Sequence, residues 1–353
     1  LIGNHSHKLD PFFIGALIRR PLFQMASNEY FRIPLMRRFM WAMGAFPFEK
    51  YAVDLTGIRY AITLVQRKGY ALGIYPEGGR NWDGRTLPVV EATASMIKTL
   101  RIPVVPVVSK GNYIAWPRWA NKRRKSPIVI QYGKPVLFER SDSKEKIVDW
   151  MQKVLDHNDN DTTVEKIKGK NPAQGLTRLL WRCPVCRTIE GLIEKNGDAL
   201  SCSACGKEWE VNLDCYMREK GTDSWKQIIE YADLMVREEE AVPIKPHTDS
   251  FLEDDEQVYL QSGDIELYYQ PQYPKLKKVA DGRLYLTNRG LVFVRSDDGR
   301  SIRYPFDEIL GKSTEKNFIF QIGMKDKQIA RFEMPKESCL KWEIFYDLVQ
   351  NRK

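Results

Sequence analysis

Three short apolar runs punctuate the front of the chain, at residues 71–75, 104–108 and 128–132. Uninterrupted runs of this length predict strands buried on both faces. Between them, Glu91–Leu100 carries apolar residues at helical spacing. Lys144–Leu155 does the same, with Ile147, Met151, Val154 and Leu155 on one side. Strands alternating with helices predict an α/β domain over residues 1–157, built on a mostly parallel sheet with flanking helices.

The pattern then changes. Residues 158–177 contain a polar, turn-rich stretch and Asn171-Pro172, and read as a linker. Over 224–236, Trp225, Ile228, Ile229, Ala232 and Met235 fall at helical spacing, which predicts a connecting helix within 222–241. From about residue 250 the period becomes that of strands. Residues 283–287 and 291–295 flank Asn288-Arg289-Gly290, a hairpin signal. Residues 318–322 and 329–334 suggest a further pair. The chain closes with a helix whose apolar stripe includes Leu340, Ile344 and Leu348.

Charge divides the chain of 353 residues unevenly. Residues 1–157 hold 25 Lys and Arg against 12 Asp and Glu, whereas the remainder holds 30 against 34. A basic front half suits an anionic partner, such as a phosphorylated ligand, an anionic membrane surface or a nucleic acid. Apolar and basic residues intermix between Pro11 and Trp41, where Phe12, Phe13, Leu22, Phe23 and Trp41 alternate with Arg19, Arg20, Arg32, Arg37 and Arg38. This fits either a membrane-surface contact or helices with one apolar and one solvated face. The chain starts at Leu1 without a signal-peptide pattern, and reads as a fragment or as lacking its natural start.

Two clusters in the front half carry chemistry. In Asn4-His5-Ser6-His7-Lys8-Leu9-Asp10-Pro11, a histidine and a carboxylate lie five positions apart. On one helix they would point well apart, so they can pair only across a turn. Pro11 opens a helix with Asp10 as its cap, and His5 sits on the loop that enters it. Asp10 could then accept from one ring nitrogen of His5 and leave the other to take a proton. The plainer alternative is that Asp10 only caps the helix, and His7 is a rival base. The second cluster, Tyr75-Pro76-Glu77-Gly78-Gly79-Arg80, follows an apolar strand. Ligands in open α/β sheets bind at the carboxyl ends of strands. Its glycines let the backbone approach an anion, and Arg80 offers a phosphate fork.

Together these clusters resemble the glycerophospholipid acyltransferase family. Asn4-His5 through Asp10 matches its His-x4-Asp block, and the segment from Gly44 to Lys50 resembles its second block. Tyr75 to Arg80 resembles its Pro-Glu-Gly block, and Ile102-Pro103-Val104-Val105-Pro106-Val107 its apolar proline block. The resemblance covers residues 1–140. It implies O-acyl transfer from acyl-CoA or acyl-carrier protein to a lysophospholipid hydroxyl, with 1-acylglycerol-3-phosphate as acceptor. His5 would be the general base and Asp10 its orienting partner, with Lys50, Glu77, Gly78, Gly79 and Arg80 holding the acceptor. Lys50 stands where the family has Arg, and Gly79 where it has Thr or Ser. The alternative is a silent membrane-binding adaptor on the same fold.

The back half holds Cys183-Pro184-Val185-Cys186 and Cys202-Ser203-Ala204-Cys205. Two such pairs at this separation form a tetrathiolate pattern, expected to bind structural Zn2+ in preference to iron. Residues 178–215 thus resemble a zinc ribbon. The rival, two disulfides, suits a reducing compartment poorly. Acidic Glu190, Glu194, Asp198, Glu208 and Glu210 offset the module's basic residues, so nucleic-acid binding is disfavoured. Cys215 and Cys339 read as core. Residues 250–353 resemble the GRAM branch of PH-like domains, which implies a β-barrel closed by a C-terminal helix. The combined expectation is a cytoplasmic protein, peripheral on the cytoplasmic face of a membrane.

Overall fold

The computed structural model describes residues 1–48, 55–236, 241–272, 275–326 and 328–352. Two compact units emerge. The first comprises Leu1–Pro172 with Val211–Met217 and Gln227–Ile229, and the second comprises Ala173–Glu210, Arg218–Lys226 and Glu230–Lys353.

The first unit contains, in chain order, β1 (Ile2–Gly3), α1 (Asp10–Gly15), β2 (Leu22–Ser27), α2 (Pro34–Ala42), β3 (Ala45–Phe48), α3 (Leu55–Ile62) and β4 (Ala71–Gly73). There follow α4 (Glu91–Leu100), β5 (Pro106–Lys110), α5 (Asn112–Ala115), β6 (Val129–Tyr132) and α6 (Lys144–Leu155). Strands β3, β2 and β4 are parallel neighbours, as are β1 and β5, and β6 closes the second group antiparallel to β5. A parallel bridge between Ile2 and Ile74 joins the two groups. The sheet is therefore mostly parallel, with one antiparallel strand at its edge.

Both predicted helices form with the expected bounds. Ser143 caps α6 by accepting from the Lys146 amide at 3.1 Å. Helices α4 and α6 bury Ala94, Ile97, Ile147, Met151 and Leu155 against Ile2 and Val104. A second cluster gathers Phe46, Ala61, Leu64, Val65, Leu72 and Leu100. This packing holds β1 and β4 side by side, and the two chemical clusters leave their carboxyl ends.

The division between the two units falls within residues 158–177, the stretch read as a linker, and part of that stretch is buried. Asp159 is fully buried, and its carboxylate accepts from the Gly111 amide at 2.7 Å and the Tyr113 amide at 2.6 Å. Ala173 and Leu176 are also fully buried. The Asp159 side chain binds backbone here rather than water.

The second unit begins with a meander of β7 (Leu192–Lys195), β8 (Ala199–Cys202) and β9 (Glu208–Val211). Strands β10 (Tyr216–Glu219) and β11 (Lys226–Gln227) follow. The predicted connecting helix shrinks to α7 (Ile228–Ala232). Its forward part is irregular up to the short strand β11, and Trp225 lies against the Arg218 guanidinium at 4.8 Å instead of entering a helix face. Residues 237–240 lie outside the described residues.

The remaining strands are β12 (Val258–Gln261), β13 (Ile265–Gln272), β14 (Lys275–Thr287), β15 (Gly290–Arg295), β16 (Ser301–Pro305), β17 (Ile309–Glu315), β18 (Ile319–Met324) and β19 (Ile329–Glu333). The expected hairpin pairs Leu286 with Leu291. The strand path runs β16-β15-β14-β13-β19-β18-β17, with β12 on β14. It is open at both ends, so the described residues form no closed barrel. Helix α8 (Cys339–Gln350) follows and is capped by Ser338. It buries Cys339, Trp342, Phe345, Tyr346 and Val349, one position away from the predicted Leu340, Ile344 and Leu348 stripe.

Candidate functional site

The first cluster lies on the loop between β1 and α1. Nδ1–H of His5 donates to Oδ2 of Asp10 at 2.8 Å. The same oxygen accepts from the Ser6 amide at 2.9 Å and the His7 amide at 2.8 Å. The turn that allows this is closed by the Asp10 amide, which donates to the His7 carbonyl at 3.2 Å. Asp10 is fully buried. It stands within the first turn of α1 rather than capping it, and its carboxylate turns back to the loop. The other oxygen, Oδ1, accepts from the Asn112 side-chain amide at 2.5 Å. A carboxylate buried with this many donors is held as an anion-shaped acceptor of one geometry.

The loop is pinned from three sides. Asn4 bridges to β5, donating to the Ser109 carbonyl at 3.0 Å and accepting from its amide at 2.8 Å. Asn81 donates to Ser6 Oγ at 2.9 Å, and its amide donates to the His5 carbonyl at 3.0 Å. The Tyr75 ring stacks on His5 with centroids 4.3 Å apart. Burial pushes the Tyr75 hydroxyl well above its usual range, so it stays neutral under the imidazole.

Glu77 turns out to face inward. Oε1 accepts from the His5 backbone amide at 2.6 Å, and Oε2 from the Leu87 amide at 2.8 Å. Burial pushes its carboxyl up to about 8, against the pull of those two amides. Both oxygens are committed to the chain itself, which suits a clamp on the His5 backbone better than an acceptor contact. Gly78 is exposed with φ of +69°, whereas Gly79 has an ordinary backbone with open space where a Cβ would stand. The Arg80 side chain is half-buried, and its carbonyl accepts from Arg118 Nη1 at 2.6 Å. Lys50 lies outside the described residues.

His7 sits in a different environment from His5. It is buried between Phe13 and Trp116, and its Nδ1 accepts from the Leu9 amide at 3.0 Å. Burial lowers it to about 4, opposed by Asp10 and aided by the charges of Arg80, His5 and Arg123. Asn112, Ser109 and Asn81 were not legible as site residues in the sequence, and Tyr75 was read only as part of its cluster. They meet the His5 loop from two distant segments, 75–81 and 109–112, and no local spacing encodes such contacts.

In the second unit, the four cysteines converge. Sγ of Cys183 and Cys205 are 3.8 Å apart, those of Cys186 and Cys202 are 3.6 Å apart, and all four sulfurs lie within 4.8 Å of one another. A tetrahedron with bonds of about 2.3 Å has sulfur–sulfur edges of about 3.8 Å. The two pairs have the same local frame. Cys183 and Cys202 each accept through their carbonyl from the amide four residues on, Arg187 and Gly206. Lys341 of α8 is buried and bonds Glu190 of this module at 2.6 Å and Glu337 at 3.2 Å. Cys215 and Cys339 are buried, as expected.

Comparison with known proteins bears on the first unit. Residues 1–110 match the family model described as Acyltransferase. A 1-acyl-sn-glycerol-3-phosphate acyltransferase of Limnanthes alba is 26% identical over 137 residues, covering 38% of this chain and 49% of the relative. One of Cocos nucifera is 27% identical over 158 residues, covering 44% and 48%. The chain thus spans about half the length of these relatives. Among solved structures, the 1-acyl-sn-glycerophosphate acyltransferase PlsC of Thermotoga maritima gives a TM-score of 0.39 at 21% identity, covering 44% of this chain and 61% of that one. The residues that carry the His5–Asp10 pair and the Glu77 clamp therefore lie in a segment similar to the Acyltransferase family.

Proposed function

We propose that the first unit transfers a fatty acyl group from acyl-CoA or acyl-carrier protein to the hydroxyl of a lysophospholipid, with 1-acylglycerol-3-phosphate as the first acceptor to test. The observation that carries this is the His5–Asp10 bond inside a fully buried cage of donors. Asp10 fixes the tautomer with the proton on Nδ1, so Nε2 is the nitrogen that accepts. It takes the proton of the acceptor hydroxyl as that oxygen attacks the thioester carbonyl. The carbon–sulfur bond then breaks, and the leaving thiolate takes the proton back from the imidazolium. Asp10 stabilises the imidazolium between the two steps. No acyl-enzyme is required, because the thioester is already activated. Arg80 carries the acceptor phosphate, the role its fork geometry suits.

The test is transfer from labelled acyl-CoA to 1-acylglycerol-3-phosphate and a small lysolipid panel, with His5→Ala alongside. A loss of about 10²- to 10⁴-fold in the variant is expected for a missing general base. Full turnover in folded His5→Ala would overturn the assignment. No transfer from any donor to any acceptor, by folded protein, would favour a silent membrane-binding adaptor instead.

The cysteine cluster completes the reading. Its sulfur spacing supports a structural Zn2+ held by Cys183, Cys186, Cys202 and Cys205, a closed ligand set with no position left for substrate. Residues 250–353 are proposed as a GRAM-type lipid- or protein-binding module, supported by the strand meander and its closing helix. A cytoplasmic, membrane-peripheral location fits a thiolate metal site and a lipid substrate.

A further inference from the structure

Helix α2 is nine residues long and buries none of them. That is unusual for a helix so rich in large apolar side chains. Leu35 is 79% exposed and Phe39 49%, and the preceding Ile33 is 62% exposed. At about 100° per residue, Leu35, Met36 and Phe39 share one arc of about 100°. Arg38 falls on one flank of that arc, Arg37 lies about 100° beyond Met36 toward the side of Trp41, and both are exposed. Trp41 lies on the opposite side, where its ring meets Phe31 at 5.9 Å and Tyr60 at 6.1 Å. One side of α2 is thus anchored in the unit, while an apolar strip with Arg38 on its flank faces out, and Arg37 adds a second exposed guanidinium on the same helix. The helix contains no acidic residue. The end of α1 repeats the combination, with Leu17, Arg19 and Arg20 exposed.

We infer that α2 docks this unit on an anionic lipid surface, with Leu35, Met36 and Phe39 among the acyl chains and Arg37 and Arg38 at the headgroups. Charge complementarity decides the occupant. These arginines can snorkel to lipid phosphates while the strip loses water. Nine residues are too few to cross a bilayer, and no helix among the described residues is long and apolar enough to do so. The docking strip also adjoins the site. Phe39 meets Phe12 with ring centroids 6.3 Å apart, and Phe12 stands in the first turn of α1, two residues after Asp10. A lipid lying along α2 would present its headgroup region close to the His5 loop. The inference rests on the proposed activity only for this last purpose, and the binding itself can be tested without turnover.

The experiment is flotation of the full chain with vesicles of pure phosphatidylcholine and of equimolar phosphatidylcholine and phosphatidylglycerol. Wild type is expected to float with the anionic vesicles and to be released by salt. Arg37→Gln with Arg38→Gln is expected to lower partitioning roughly tenfold or more. Leu35→Asp with Phe39→Asp is expected to abolish flotation while keeping the wild-type thermal transition, because both side chains are outside the core. Equal flotation of wild type and the Leu35/Phe39 variant overturns the assignment. So does a concentration-dependent dimer that this variant dissociates, since a second copy would then be the occupant. Failed flotation with intact transfer to a detergent-dispersed acceptor would sink the docking and spare the activity. Flotation without transfer would do the reverse.

Discussion

Asn112 and His5 hold opposite oxygens of the same carboxylate. The Asn112 side-chain amide donates to Oδ1 of Asp10, and the His5 ring donates to Oδ2. Asn112 opens α5 directly after β5, so the sheet itself fixes the rotation of Asp10 and, through it, the plane of the imidazole. Removing this donor leaves a buried carboxylate oxygen without its partner, at a cost of about 1–3 kcal/mol. Asn112→Ala is expected to lower kcat more than it raises KM for the acceptor, because it disturbs the base and not the binding contacts. Asn112→Asp, which sets a second carboxylate against Asp10, is expected to be worse than Ala in both turnover and stability. Steady-state kinetics and urea melts of the two variants check this. An Asn112→Asp enzyme with wild-type kcat would remove Asn112 from the positioning network.

The pH dependence of stability reports on His7. His7 moves from an ordinary value near 6.5 in the unfolded chain to about 4 in the fold, because burial penalises its charged form. Between those values the unfolded chain binds more protons than the native one. Stability is therefore fully present above about pH 6.5 and falls as pH drops toward about 4, by up to roughly 3 kcal/mol. Glu77 runs the other way: its raised carboxyl adds stability that is lost as pH rises through about 8. Because both proteins share Glu77, the comparison that isolates His7 is His7→Phe against wild type. The variant forfeits the Leu9 hydrogen bond and should be about 1 kcal/mol less stable at about pH 7. The gap should close or reverse at about pH 5. An unchanged gap across that range would mean His7 does not resist protonation in the fold.

Local patterns were legible and distant contacts were not. Helices α4 and α6 form over the residues their periodicity predicts, because a single apolar stripe on each meets the sheet. The four-cysteine cluster was readable because spacing within each pair sets the local frame. The His5–Asp10 pair was readable as a turn, but its surroundings were not. Asn112 comes from over a hundred residues away, and Tyr75 and Glu77 from a different strand end. The stripe of α8 was misplaced because Trp342, Phe345 and Tyr346 compete with Leu340, Ile344 and Leu348 for the core, and aromatic size wins. Within 158–177, Asp159 caps the start of α5 from a distance, a contact that polar composition does not encode.

Gly78 and Gly79 make opposite predictions side by side. At Gly78 the backbone has φ of +69°, a region costly to any residue with a Cβ, so Gly78→Ala should destabilise by about 1–2 kcal/mol. At Gly79 the backbone is ordinary and a Cβ would meet nothing within 4 Å. Gly79→Thr, the residue type found at this place in the glycerophospholipid acyltransferases the motif resembles, should fold with stability within about 0.5 kcal/mol of wild type. Its hydroxyl would stand one residue before Arg80, so its effect should appear in the acceptor KM. Thermal melts and acceptor titrations read the two separately. A destabilised Gly79→Thr would show that the loop is packed more tightly than its geometry indicates.

The cysteine cluster carries the last prediction, and it concerns stability rather than turnover. Four sulfurs within 4.8 Å of one another would repel as thiolates unless a cation held them together. Purified protein should therefore contain about one Zn2+ per chain. Cys202→Ser removes one of the four clustered thiols, buried at the end of β8. It should lower metal content and Tm together, and a strong chelator should lower the Tm of wild type toward that of the variant. The loss should propagate to α8, because Lys341 bonds Glu190 within the module. Tryptophan fluorescence compared with a Trp342→Phe control, needed because the chain has nine tryptophans, reports this, since Trp342 follows Lys341 in the core. Acyl transfer by the first unit should survive in Cys202→Ser below its melting temperature, as a closed four-thiolate site leaves no coordination position for substrate. Protein that is folded, holds well under about 0.2 metal ion per chain and melts identically with and without chelator would exclude the metal assignment.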